Sequence, residues 1–167
     1  MRSPWPESVE RVAEVFRTAG VEARIEELPA GTPTARAAAD TLGCELNEIV
    51  KSVVMVCDGA YVLALVPGDH RADETAVAGA VGAQAARLAR PEEVVEATGF
   101  EPGGVAPFPH LFVAEVLLDR SLLGRAAVWI GAGTADHMAA LTSVDLQRLA
   151  KARPVDLTPA GREASNL

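Results

Sequence analysis

"VKSVVMVCDGAYVLALVP", residues 50–67, decides how this chain folds. Two apolar, β-rich runs flank Asp58-Gly59, and an Asp-Gly pair in that setting is the strongest short-range signal for a hairpin. Both runs are apolar on both faces, so the hairpin belongs inside a sheet rather than at its edge. One charge interrupts it. Lys51 stands near its start, in a chain whose 15 basic residues include only two lysines, Lys51 and Lys151. In a strand over 50–57, Lys51, Val53, Met55 and Cys57 share one face, and Val50, Ser52, Val54 and Val56 the other. The ammonium therefore opens a face that turns apolar at once. A snorkelling lysine, with its stem over the core edge and its amine in water, accounts for the residue taken alone. The alternative is an ammonium at the mouth of a cavity, where weak screening makes it an anchor for phosphate or for developing negative charge.

Outward from the hairpin, the spacing of Val9, Val12, Ala13, Phe16 and Ala19 predicts a helix over 7–19, stopped by Gly20. "VEARIEEL" (21–28) reads as a short strand. "GTPTARAAADTLG" (31–43) reads as a helix with Thr32 as N-cap, Pro33 in the first helical position and Gly43 past the end. Downstream, "DETAVAGAVG" predicts a helix capped by Asp73, "QAARLA" a weak strand, and Pro91 to Gly99 a short helix. A turn-rich loop follows, then strands near 111–118 and 126–130 and a third near 137–141. "TSVDLQRLA" closes as a helix, with Thr142 and Asp145 at capping-box spacing. The expectation is one domain over 1–150 and a frayed tail over 151–167. Locally paired strands with interspersed helices give an α+β fold: a mixed, largely antiparallel sheet, partly barrel-like, flanked by helices.

Composition sets limits. With 167 residues and 49% hydrophobic content the chain can bury a real core, built from Val, Leu, Ile and Ala because aromatics are only 4%. No apolar run approaches the roughly 18 residues of a membrane helix. The N-terminus lacks the apolar segment of a secretory signal, and Cys44 and Cys57 match no metal or redox spacing, so a cytoplasmic setting is expected. The net charge of −8 argues against a broad phosphate-binding face. Any nucleic-acid contact should be confined to a small patch, drawn from Lys51 and arginines such as Arg36, Arg71 or Arg87.

Common catalytic devices are missing: no G-x-S-x-G, no H-E-x-x-H, no Walker-type loop. His70, His110 and His137 lie in separate segments. Asp69, His70 and Asp73 could be drawn as a metal cluster, but Asp73 is better used as a helix cap, and neither a metal nor a cofactor is expected. Cys57 reads as a small hydrophobe. Besides Lys51, "PGGVAPFPH" (102–110) stands out. Gly103 and Gly104 permit backbone that exposes N–H groups, and Pro107 stiffens the far side. It reads either as an ordinary connection or as a backbone cradle for a carbonyl or oxyanion. Gly131 and Gly133 make a weaker case of the same kind. Asp136 and His137 read as turn residues.

Taken in order, "TARAAADTLG", "IVKSVVMV", "LVPGD", "TGFEPGGVAPF" and "WIGAGT" resemble the YbaK and prolyl-tRNA synthetase-associated editing domain family, the free-standing aminoacyl-tRNA deacylases. The resemblance runs from about Val21 to Leu149. It implies hydrolysis of the ester joining a wrong amino acid to the 3′ end of a transfer RNA. Lys51 would be the required lysine that holds the terminal nucleotide. The loop Gly103, Gly104, Val105, Ala106 and Pro107, with Gly131 and Gly133, would bind the aminoacyl group. Water would attack, helped by the substrate's own ribose hydroxyl. Aminoacyl-tRNA, and prolyl-tRNA synthetase as a docking partner, are the implied partners. The chain departs from the pattern at Glu26-Glu27-Leu28, Ser52 and Pro109-His110, which leaves specificity open. Those departures also keep a second class in view, a binding module without catalysis.

Overall fold

The computed structural model describes residues 4–30 and 34–158. The decisive stretch forms β2 (Val50–Cys57) and β3 (Ala60–Pro67), paired antiparallel from Val50↔Pro67 to Cys57↔Ala60. Asp58 and Gly59 both take positive φ, 50° and 86°, the requirement of the mirror-image turn whose twist matches the strands. The Asp58 carboxylate also accepts from Gln84 N and Ala85 N, tying the turn to the next strand.

The hairpin is interior, as its two-sided apolar pattern predicted. β4 (Ala86–Leu88) pairs with β2, and β5 (Glu115–Asp119) runs parallel to β3. β8 (Arg153–Val155) runs parallel to β5, giving the order β4-β2-β3-β5-β8. A second sheet has β7 (His137–Leu141) between β1 (Arg24–Glu27) and β6 (Val128–Gly131), all antiparallel. Neither sheet closes into a barrel. Among the described residues a parallel bridge from Ile49 to Trp129 links them. The class is α+β with mixed, largely antiparallel sheets.

Among the described residues, five α-helices cover these sheets: α1 (Glu7–Ala19), α2 (Ala35–Leu42), α3 (Glu74–Val81), α4 (Pro91–Thr98) and α5 (Ser143–Ala150). On one face of the large sheet, Val54 and Leu63 bury with Phe16 of α1, Leu146 of α5 and Ile130 of β6. On the other, Met55, Cys57 and Ala64 bury with Val77 of α3 and Leu157. Leu28, Ala38, Ile49, Trp129 and Met138 form a third cluster, which holds α2 against the small sheet.

Three expectations are corrected. The cap of α2 is Thr34, whose hydroxyl accepts from Ala37 N at 3.0 Å; Thr32 and Pro33 lie outside the described residues. The strand expected from 111 begins at Glu115, because the N–H groups of Leu111 and Phe112 both go to the Ala97 carbonyl instead of a ladder. Of the tail expected to fray over 151–167, the described part supplies β8, and Leu157 is fully buried with its N–H on the Asp119 carboxylate; residues 159–167 lie outside the described residues.

Candidate active site

The start of β2, the N-terminus of α2 and two glycine-bearing loops surround a cleft of about 220 Å³. Lys51 and Ser52 enter from β2, Gly103 and Val105 from the loop before β5, and Gly131, Thr134 and His137 from the β6–β7 connection. Leu28, Ala38, Ile49 and Met138 supply apolar wall.

Lys51 does not reach into bulk solvent. It is half-buried, and its Nζ donates to the His70 carbonyl in the turn after β3. That turn is braced by a 2.8 Å contact between His70 Nδ1 and Asp69 Oδ1. Burial, and then the positive charge of Arg71, hold the Lys51 pKa below its ordinary value, while Asp69 opposes the shift. Desolvation disfavours the charged form, so this ammonium gains more from a bound anion than an exposed one would.

The glycine loops are positioned by close backbone approach. Residues 101–104 form a turn in which Gly104 N donates to the Glu101 carbonyl, with Pro102 second and Gly103 third at φ +90°. Proline then a positive-φ glycine is the sequence a type II turn demands. A Cβ on Gly104 would sit 2.7 Å from Thr134 Cα, and one on Gly131 only 2.5 Å from the Val105 carbonyl oxygen. These glycines weld the two loops together. Gly133, at φ +108°, does the same against Ser8 of α1.

Of the residues the resemblance pointed to, Lys51, Gly103, Val105 and Gly131 line the cleft. Gly104, Ala106, Pro107 and Gly133 do not. The Gly104 N–H is spent on its own turn and Ala106 is fully buried, so these four shape the walls from behind. Among the arginines suggested for a basic patch, Arg71 lies within electrostatic reach of Lys51, whereas Arg87 is engaged bidentately by Glu93. Asp73 caps α3 through Ala76 N, and among the described residues no three His, Cys, Asp or Glu side chains converge as a metal site.

His137 is the residue the sequence undersold. It opens β7 rather than sitting in a turn, is 6% exposed, and lines the cleft. Its Nδ1 is 2.5 Å from Thr134 Oγ1, and Trp5 packs edge-on at 5.7 Å. The Thr134 oxygen also accepts from Asp136 N, which fixes the hydroxyl beside the ring. Only the tertiary fold brings this ring to Lys51.

The aminoacyl-tRNA editing domain profile matches residues 29–149. The chain belongs to the aminoacyl-tRNA editing domain family. It is 37% identical over 124 residues to the proline–tRNA ligase of Acidithiobacillus ferrooxidans, an alignment covering 74% of this chain and 20% of the ligase. The chain thus spans about a fifth of the length of that relative. It is 33% identical to the uncharacterized protein YwhH of Bacillus subtilis, covering 83% of this chain and 88% of that one. A solved structure provisionally described as a trans-editing enzyme for prolyl tRNA synthetase superposes with a TM-score of 0.87 at 38% identity, over 93% of this chain and 99% of that chain. Among the described residues, no helix is long and apolar enough to cross a membrane.

Proposed function

We propose that this protein is a trans-editing deacylase, hydrolysing the ester of a mischarged aminoacyl-tRNA that carries a small amino acid, with the transfer RNA for proline as the first candidate carrier. The observation that carries this reading is the half-buried Lys51 ammonium at the rim of a small, partly apolar cleft, opposite the Gly103–Val105 backbone. In this reading Lys51 anchors the terminal adenosine through its phosphate or ribose environment, and the aminoacyl group enters between Val105, Gly131 and Met138. A 220 Å³ cleft with aliphatic walls suits a small uncharged side chain and discriminates by size.

The chemistry needs little from the protein. Water adds to the ester carbonyl, the tetrahedral oxyanion is met by backbone N–H groups of the loop, and the bond to the ribose oxygen breaks. That oxygen takes a proton from its neighbouring hydroxyl, which recovers one from the attacking water. Free amino acid and uncharged tRNA result. Positioning and electrostatics supply the acceleration. His137 lines the cleft as a hydrogen-bonding group for the substrate, not as an obligatory base.

The test is deacylation by purified protein against alanyl-, cysteinyl-, seryl- and threonyl-tRNA. Release of amino acid that disappears in a folded Lys51→Ala variant supports the reading. No release from any substrate overturns it. Capture of prolyl-tRNA synthetase without turnover would instead favour a binding module.

A further inference from the structure

The two lysines of this chain stand at two different clefts. The second cleft, about 450 Å³, lies where α1, α5, β5 and the 108–114 segment meet, and Lys151 and His110 line it. Its volume falls within the range usual for small-molecule sites. Val15, Phe108 and Leu149 give it apolar walls. Among the described residues neither the Lys151 ammonium nor the His110 ring has a hydrogen-bond partner. Glu115 also lines the cleft, but its carboxylate is held by Arg153 at 2.6–2.7 Å, so it does not oppose an incoming anion.

A second observation marks the position of Lys151. The helices α1 to α4 each close on a glycine in the left-handed conformation: Gly20, Gly43, Gly82 and Gly99. The fifth, α5, closes on Lys151 at φ 52°, ψ 45°, a conformation disfavoured for any side chain. A strained non-glycine kept where glycine is the easy choice points to use of its side chain. Burial and then the Lys151 charge push the His110 pKa down, so the ring is neutral beside the ammonium and a bound anion would relieve both.

We propose that this cleft binds a small carboxylate with an apolar body, its oxygens shared by the Lys151 ammonium and the His110 imidazole and its hydrocarbon part lying against Val15, Phe108 and Leu149. A carboxylate fits better than phosphate: two donors satisfy it, whereas a phosphate would lose hydration over apolar walls without enough donors to replace it. The site stands apart from the Lys51 cleft and does not rest on the editing reaction.

The probe is phenylacetate, titrated into the full chain while histidine ring protons are followed by NMR, His110 being assigned with H110Q. Expected are saturable shifts of the His110 signals and a rise of its apparent pKa by about half a unit or more on binding. Lys151→Gly removes the ammonium while adopting the observed φ freely, so it should melt no lower than the parent and bind at least about tenfold more weakly. Lys151→Gln keeps the parent's backbone cost and should show the same loss. The proposal is overturned if His110 does not respond saturably, if both variants bind as the parent does, or if neutral 2-phenylethanol or inorganic phosphate binds as well as phenylacetate.

Discussion

Lys51 is held by the His70 carbonyl, a group nineteen residues along the chain that β3 delivers back to the start of β2. This tether points the ammonium along the cleft rim and fixes a side chain that would otherwise lose rotamer entropy on binding substrate.

Replacing Lys51 by Ala should lower deacylation by about 10²–10³-fold, the usual effect of deleting one preorganised charge at a reacting centre. Thermal unfolding should change little, since the variant also removes a desolvated charge. Lys51→Arg should not restore rate, because a planar guanidinium cannot reproduce a point donor tied to one carbonyl.

The pH dependence follows from the direction of the Lys51 shift. Its folded pKa lies below the ordinary 10.5, so between the two values the unfolded chain binds the extra proton. Stability therefore rises with pH through that window, and below it the cost of the buried charge is paid in full. Urea denaturation from pH 8 to 10.5 should show this rise in the parent and a flatter line in Lys51→Met. Activity should fall over the same window, as the ammonium is lost earlier than an exposed lysine would lose it.

The glycines separate steric from conformational cost. Gly131→Ala puts a Cβ 2.5 Å from the Val105 carbonyl oxygen and must part the two loops, costing about 1–3 kcal/mol along with activity. Gly103→Ala has room, its nearest neighbour being Ala135 Cβ at 3.8 Å, and pays only for φ +90°, about 1–2 kcal/mol. Calorimetry should find both variants melting lower, by about 2–4 °C per kcal/mol in a chain of this size. Deacylation should drop further in the first.

The −8 charge, with Arg71 beside Lys51 and Arg87 tied to Glu93, leaves few cations for phosphates. Binding of tRNA by the isolated protein should be weak, and log K against log salt should have a slope of only about −1 to −2. A steep slope, or tight binding at physiological salt, would reveal a basic face elsewhere.

Local chemistry was the legible part of the sequence. Asp58-Gly59, Asp73, Pro91 and Gly99 each dictate their own backbone, and the elements they bound lie where expected. Long-range pairing was not legible. Nothing in Arg153–Val155 announces a strand until β5 offers it a parallel edge, and Leu111 and Phe112 look like a strand start although they stay exposed. At the site, Lys51 could be singled out as an anomaly of type and place. His137 could not, because its meaning depends on the small sheet meeting the start of β2 through Ile49 and Trp129, which brings the end of the β6–β7 connection to the cleft. The glycines were noticed for the freedom of their backbone, whereas their main use is the absence of a side chain.

The edges of the family match and the edges of the folding unit do not coincide. The match spans 29–149, yet β1 lies before it and β8 after it, one outer strand of each sheet, and Ser8 of α1 presses on Gly133 from outside as well. A fragment trimmed to the matched residues would bare the ladders of β5 and β7 and leave the loop bearing Gly133 without its backing helix. Grafting this editing unit onto another protein therefore calls for splice points that keep α1, β1 and β8 together with the buried Leu157.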